Sequence, residues 1–236
     1  MTTSALIFAG GTGSRMNTKT LPKQFLELHG KPIIIHTIEK FLVVPDIDQV
    51  YVAVHPNWLV YFNDLVNKHL PGHESKIKAV DGGGDRNDSI LNIIADIKAA
   101  GPVSDQAILI THDAVRPFVS YRMIQDNIKV MADYDATDTV VMANDTIVES
   151  QAGKSISSIP NRAHMFQGQT PQTFRINQFD SLFASLSQDE REILTDACKV
   201  FVLKGKSVGL VKGEYSNLKI TTVTDLKIAE AMLGEI

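Results

Sequence analysis

The chain has 236 residues, of which 44% are hydrophobic and 21% charged, with a formal net charge of −4. That length and composition suit one globular domain with a sizeable core, and the acidic balance argues against a general nucleic-acid or anionic-membrane binder. Cys198 has no second cysteine to pair with, so no internal disulfide forms and a reducing compartment is expected.

The start, MTTSALIFAGG, lacks a basic n-region, and no run of about 18 apolar residues offers a membrane span. A cytoplasmic location is therefore expected. In chain order, residues 4–9 read as a buried strand feeding a glycine-rich loop. Residues 32–44 read as a helix with Pro32 suited to its first turn. A strand is predicted at 49–54, a helix at 58–70 and a short strand at 76–80 running into Gly82-Gly83-Gly84. A helix at 87–99, a strand at 107–111 and a helix at 121–132 follow. This alternation predicts an α/β fold with a mainly parallel sheet flanked by helices. After Thr139 the pattern changes, and 140–174 reads as a β-arm protruding from a single domain spanning 1–236. Helices return at 177–186 and near 195–203. A strand at 207–211 and a helix at 224–233, with Thr224 as a candidate N-cap, complete the chain.

Ligands of such sheets bind at the carboxyl ends of the strands, which draws attention to the loops 10–23, 81–89 and 112–118. The first carries AGGTGSRM followed by LPKQF. Gly10, Gly11 and Gly13 permit positive φ and close backbone approach, and successive amides there can cradle phosphate oxygens. Arg15 and Lys23 add charge on the same loop, the combination a triphosphate needs. Two better-known phosphate loops do not fit. The dinucleotide fingerprint would require glycine at Met16 and an acidic residue where His55 ends the second strand. A Walker A loop would require lysine directly after its glycines.

The segment A-G-G-x-G-x-R-M with L-P-K-Q-F resembles the signature of the cytidylyltransferases related to 2-C-methyl-D-erythritol 4-phosphate cytidylyltransferase. The loop Gly83-Gly84-Asp85-Arg86-Asn87-Asp88-Ser89 resembles that family's G-G-x-x-R-x-x-S, and His112-Asp113-Ala114-Val115-Arg116-Pro117 resembles its H-D-A-x-R-P. Three matches in order, each after a predicted strand, cover essentially the whole chain. The blocks 161–164, 167–174, 194–198 and 214–221 further resemble the branch that acts on D-ribitol 5-phosphate and makes CDP-ribitol for teichoic acid or capsule.

The resemblance implies a Rossmann-like nucleotide-diphospho-sugar transferase fold and transfer of CMP from CTP to a sugar-alcohol phosphate. It implies that Ala9, Gly10, Gly11 and Gly13 hold CTP by their backbone. Arg15 and Lys23 would neutralise charge at the α-phosphate. Gly83, Asp85, Arg86 and Ser89 would form the base and ribose pocket. Asp113 would lie near Mg²⁺ and the phosphates, Arg116 near the acceptor phosphate, and Arg162 and Lys219 would position the acceptor. It also implies a homodimer through the β-arm, with Arg162 reaching the neighbouring site. The chemistry is coherent, because a phosphate monoester with a second pKa of about 6 is largely dianionic and needs no general base. Positioning and charge neutralisation then carry catalysis.

Plainer readings stand beside these. Asp113 could simply cap a turn. Asp225, the second candidate for Mg²⁺, could instead complement the dipole of the last helix. His69 and His73 flank Pro71-Gly72 and read as a surface turn, His112 as a loop orienter and Cys198 as a packed thiol. Trp58 and Phe62 read as packing residues, and 189–192 as a solvated charged face. The competing functions are the same reaction on 2-C-methyl-D-erythritol 4-phosphate and a nucleotide-binding regulatory module without chemistry. The presence of Arg15, Lys23, Asp113 and Lys219 counts against the second.

Overall fold

The computed structural model describes residues 2–11 and 21–234. The elements are β1 (Thr3–Ala9), β2 (Glu27–Leu28), β3 (Lys31–Pro32), α1 (Ile33–Leu42), β4 (Gln49–Val54), α2 (Leu59–His69), β5 (Ile77–Asp81), α3 (Arg86–Ala100), β6 (Ile108–Asp113) and α4 (Tyr121–Val130). They continue with β7 (Ala136–Met142), β8 (Phe166–Arg175), α5 (Ile176–Ala184), α6 (Gln188–Glu192), α7 (Ala197–Leu203), β9 (Val208–Lys212) and α8 (Val223–Gly234).

Among the described residues, seven strands form one sheet in the order β5-β4-β1-β6-β8-β7-β9. The β5, β4, β1 and β6 pairings are parallel, as is β7 with β9, while β8 runs antiparallel between β6 and β7. The sheet is thus mainly parallel, as the alternation predicts. Strand β1 is buried along almost its whole length and apolar from Ala5 to Ala9, because both of its faces are covered. Ala5 and Ile7 pack with Ile34, Ile38, Phe41, Phe62 and Met123 of α1, α2 and α4. Leu6 packs on the other face with Ile90, Ile93, Phe179 and Phe201 of α3, α5 and α7. Phe174 stacks on Phe179 with ring centroids 4.5 Å apart, and both are fully buried, so truncating either costs about 3–5 kcal/mol. A smaller group, Ile33, Val115, Ile220 and Ala229, seats α8 against the loop after β6. No described helix is long and apolar enough to cross a membrane.

The structure corrects three local readings. Pro32 precedes the first turn of α1 as its N-cap rather than lying inside it. The cap of α8 is Thr222, not Thr224: Asp225 N donates to Thr222 Oγ1 at 3.2 Å while Thr222 N donates to Asp225 Oδ2 at 2.7 Å. This is a reciprocal capping box. The excursion is narrower than 140–174, because both of its ends belong to β7 and β8 of the main sheet. Between them, 143–165 is mostly exposed and carries one isolated bridge, Glu149 with Ser158.

Strand β7 escaped the periodicity because its buried positions include Thr137 and Thr139. Buried hydroxyls need partners, and Asn127 of α4 supplies them. Its Nδ2 donates to Thr139 Oγ1 at 2.8 Å, and its Oδ1 accepts from Thr137 Oγ1 at 2.9 Å.

Candidate active site

The parallel strands β1, β5 and β6 deliver three loops to the same sheet edge. Gly10 and Gly11 follow β1; Gly13 and Arg15 lie outside the described residues. The buried Gln24 bonds back to the end of β1, its Nε2 donating to Ala9 O at 2.6 Å and Gly11 O at 3.0 Å. Lys23, partly exposed, opens the 3-10 turn Lys23–Phe25. That turn is anchored by the Phe25 ring, which packs 5.6 Å from Trp58 and 5.3 Å from Tyr61. Trp58 is therefore a packing residue, and Phe62 is fully buried in the core.

The second loop depends on glycine for a physical reason. Gly83 has φ +63°, and a Cβ there would lie 2.6 Å from Asp88 Cβ. Both the left-handed backbone and the close approach require the missing side chain. Asp85 caps α3, its Oδ1 accepting from Asp88 N at 2.8 Å. The buried Ser89 hydroxyl bonds Gly82 O and, at 2.8 Å, Asp85 O. Gly10, Gly11, Gly83, Asp85, Arg86 and Ser89, all singled out from the sequence, line one cavity of about 230 Å³ together with Phe8, Gly82 and Gly84. The Arg86 guanidinium lies 3.9 Å from the centroid of the Phe8 ring, a cation–π contact.

Beside this cavity, Asp113 at the end of β6 gathers three cations. Its Oδ1 is 2.7 Å from Arg86 Nη1, and its Oδ2 is 3.3 Å from Arg116 Nε and 2.9 Å from Lys219 Nζ. Burial alone would raise the Asp113 carboxyl, but Arg86, Lys219 and Arg116 outweigh it and hold the group well below the usual carboxylate range. Three cations around one carboxylate leave a net positive centre, suited to anions. Arg86 joins the two halves, since it lines the cavity and bonds Asp113.

The loop after β6 is fixed by His112, which is fully buried and pushed down to about 4 by desolvation, against the raising effect of its bond to Arg116 O. It is therefore neutral. Its Nε2 lies 3.1 Å from Arg116 O and must donate there, so Nδ1 accepts from the Thr170 hydroxyl at 2.9 Å. Thr170 Oγ1 in turn accepts from Asp113 N at 3.2 Å. Arg116 Nη1 donates to Asn217 O at 2.7 Å, and Asn217 Nδ2 donates to Thr170 O at 2.8 Å. His112 is thus the loop orienter expected of it. The roles of Gln24, Thr170 and Asn217 went unassigned. All three lie inside the motif blocks, but nothing in one dimension shows what an amide or hydroxyl will meet.

Two expected site residues stand elsewhere. Arg162 is exposed on the excursion, where its Nη1 donates to Asn144 O at 2.8 Å, and it is not brought to Asp113 within the chain. Asp225 Oδ2 accepts from Thr221 N, Thr221 Oγ1 and Thr222 N at 2.7–2.8 Å, so its carboxylate is occupied at the start of α8. Cys198 is buried and its thiol is pushed well up by desolvation, as a packed cysteine should be. His69 and His73 flank a turn at Gly72 with φ +83°. Among the described residues no group of three His, Cys, Asp or Glu could hold a metal ion.

The model of the family described as IspD, 2-C-methyl-D-erythritol 4-phosphate cytidylyltransferase, matches residues 3–235. A ribitol-5-phosphate cytidylyltransferase of Streptococcus pneumoniae serotype 2 (strain D39 / NCTC 7466) is 60% identical over 227 residues, covering 96% of this chain and 97% of that protein. Among solved structures, the 2-C-methyl-D-erythritol 4-phosphate cytidylyltransferase of Francisella tularensis superposes with a TM-score of 0.80 at 27% identity, over 98% of this chain and 99% of that one. The 4-diphosphocytidyl-2C-methyl-D-erythritol synthase of Anaerococcus prevotii DSM 20548 gives a TM-score of 0.79 at 27% identity, over 99% and 98%.

Proposed function

The chain belongs to the 2-C-methyl-D-erythritol 4-phosphate cytidylyltransferase family, and from that premise we propose that it transfers CMP from CTP to D-ribitol 5-phosphate, giving CDP-ribitol and pyrophosphate. The observation that carries the reaction class is the net positive Asp113 centre beside the glycine-lined cavity. The acceptor rests on the 60% identity to a ribitol-5-phosphate cytidylyltransferase. CDP-ribitol would then feed polymer synthesis in the cell wall or capsule from the cytoplasm.

In this reading the cavity takes the nucleoside, and the backbone of Gly10 and Gly11, with Arg15 and Lys23, takes the phosphates. Arg116 and Lys219 hold the acceptor phosphate. An oxygen of that phosphate attacks the α-phosphorus, a new P–O bond forms, and the α–β bridging bond breaks to release pyrophosphate. No proton must be removed from the nucleophile, so the chain's work is to bring two anions together and offset their charge.

Mg²⁺ bound to a nucleotide needs only one or two protein carboxylates. Asp113, deprotonated and next to the cavity, fits that need if Lys219, the most exposed of its three partners at 40%, turns away. Asp225, with its oxygen filled by three donors, does not. Held there, the ion would offset the charge that develops on the phosphates.

The acceptor is tested by pyrophosphate release. With CTP and Mg²⁺, D-ribitol 5-phosphate should give a far larger kcat/KM than 2-C-methyl-D-erythritol 4-phosphate, and chelation of the metal should stop release. The reverse ranking overturns the acceptor, and no release with either favours the regulatory module.

The assembly part of the proposal is a homodimer built through the excursion, where Val148, Ile156 and Ile159 are exposed at 50%, 59% and 60%. An isolated hairpin of this kind is marginal in water. Because Arg162 does not reach the cation centre of its own chain, the proposal places it at the acceptor phosphate of the partner subunit. Mixing Arg162→Ala with Lys23→Ala under subunit exchange should restore activity toward half per mixed dimer, since one of its two sites then carries neither defect. Demonstrated exchange without recovery removes Arg162 from the neighbouring site.

A further inference from the structure

On the face of the sheet that carries Phe8 and Asp113, the side-chain alternation of strands also places Gln172 of β8 and Asp138 of β7, which are register partners. Asp138 is partly exposed, and its Oδ1 accepts from Gln172 Nε2 at 3.0 Å. Oδ2 lies alongside Gly168, where even an added Cβ would keep 3.7 Å. Gln172 is 2% exposed, and its Oε1 has no hydrogen-bond partner among the described residues. The same holds for Nε of Arg86, whose guanidinium lies over Phe8 and bonds Asp113 on this same face. Buried polar atoms are rarely left unmet without a reason.

One unmet donor, one unmet acceptor and a carboxylate oxygen beside an open glycine define a chemistry. A phosphate would be repelled by Asp138, and an apolar group would leave both orphans unpaired. A hydroxyl donates and accepts at once. We infer that Asp138, Gln172 and Arg86 form a subsite for the hydroxyls of the acceptor's polyol chain. The sheet order assigns it to the acceptor rather than to the nucleotide ribose. The nucleotide cavity lies at β1 and the start of α3, the cation centre at β6, and this group beyond it on β8 and β7. The inference rests on the acceptor reading above.

The groups around Asp138 are Gln172 from β8, Asp196 at the cap of α7, Cys198 within α7 and Arg86 from α3. Burial first, with help from Asp196, pushes the carboxyl up to about 6, against the lowering effects of Gln172 and Arg86. It is ionised above that pH and accepts hydrogen bonds strongly there.

The test measures both Michaelis constants at pH 8 for the parent, Asp138→Asn and Gln172→Glu, with thermal melting as a check on folding. Acceptors are D-ribitol 5-phosphate and a set of pentitol phosphates each lacking one hydroxyl; 2′-deoxy-CTP replaces CTP in one arm. Asp138→Asn should raise KM for ribitol 5-phosphate about tenfold, the worth of a hydrogen bond to a charged group, with KM for CTP unchanged. The parent should reject one deoxy acceptor, and that discrimination should disappear in the variant, which a merely structural role would not cause. An unchanged acceptor KM in both folded variants, or a rise confined to CTP and sensitive to the 2′-hydroxyl, overturns the subsite. If the parent itself releases no pyrophosphate with ribitol 5-phosphate, the acceptor reading fails first.

Discussion

Lys23→Ala should lower turnover by about a hundred- to a thousandfold, the usual cost of removing one preorganised contact to charge that develops in the transition state. KM for CTP should move much less. The reason lies in where Lys23 is held. Its neighbour Gln24 ties the segment to both Ala9 O and Gly11 O, and Phe25 fixes the turn in the aromatic contact with Trp58 and Tyr61. The lysine is thereby attached to the rigid end of β1. In the proposed reading nucleotide affinity draws on the cavity walls from Gly82 to Ser89, which the substitution leaves intact. The effect should therefore fall on kcat, because a contact that strengthens only as the α-phosphorus is attacked does not show in ground-state binding. Steady-state kinetics with a folded variant measures this. Turnover near that of the parent, or a loss confined to KM for CTP, would remove Lys23 from the reacting phosphate.

Asp113→Asn should be the most disruptive conservative change in the chain. The amide keeps the shape and loses the charge that three cations share. The Arg116 side chain is only 11% exposed and Arg86 24%, whereas Lys219 at 40% can turn toward water. Breaking a buried ion pair on one side costs about 3–5 kcal/mol. Partial exposure of Lys219 and Arg86 moves the expectation to the lower end. A urea denaturation series reads that loss directly.

The sign of its pH dependence follows from the carboxyl's position. Its folded pKa lies well below the ordinary value of about 4. The stabilisation is thus fully present above that ordinary value and is lost as pH falls through the depressed one. The stability gap between parent and variant should be flat from neutral pH down to about 5 and should shrink only below about 4. A gap that widens with acidification, or one already absent at neutral pH, contradicts the ion-pair account. Activity should fall in parallel, because Arg116 and Lys219 lose the group that fixes their spacing.

Much of this protein was legible in one dimension. Continuous apolar runs such as ALIFA mark strands buried on both faces, and their alternation with amphipathic segments points to the parallel half of the sheet. Glycines betray loops by what they lack, and Gly83, with its left-handed backbone and crowded Cβ position, bears that out. The three motif loops follow those strands, and they meet at one edge because parallel strands end on the same side.

What the sequence could not decide was which polar groups find each other. Strand β7 has no apolar alternation to show, because its buried positions include the polar Thr137 and Thr139, whose hydroxyls are met only when Asn127 reaches them across the helix packing. Arg86 read as a wall of the base pocket, yet it also closes on Asp113, 27 residues away. Asp225 read as a choice between metal and helix end, and the donors of Thr221 and Thr222 occupy it. Apolar burial is nondirectional and proportional to area, so a pattern of residue types suffices to predict it. Hydrogen bonds and ion pairs need particular atoms at particular distances. Only the folded chain brings Lys219, Arg116 and Arg86 around a single carboxylate.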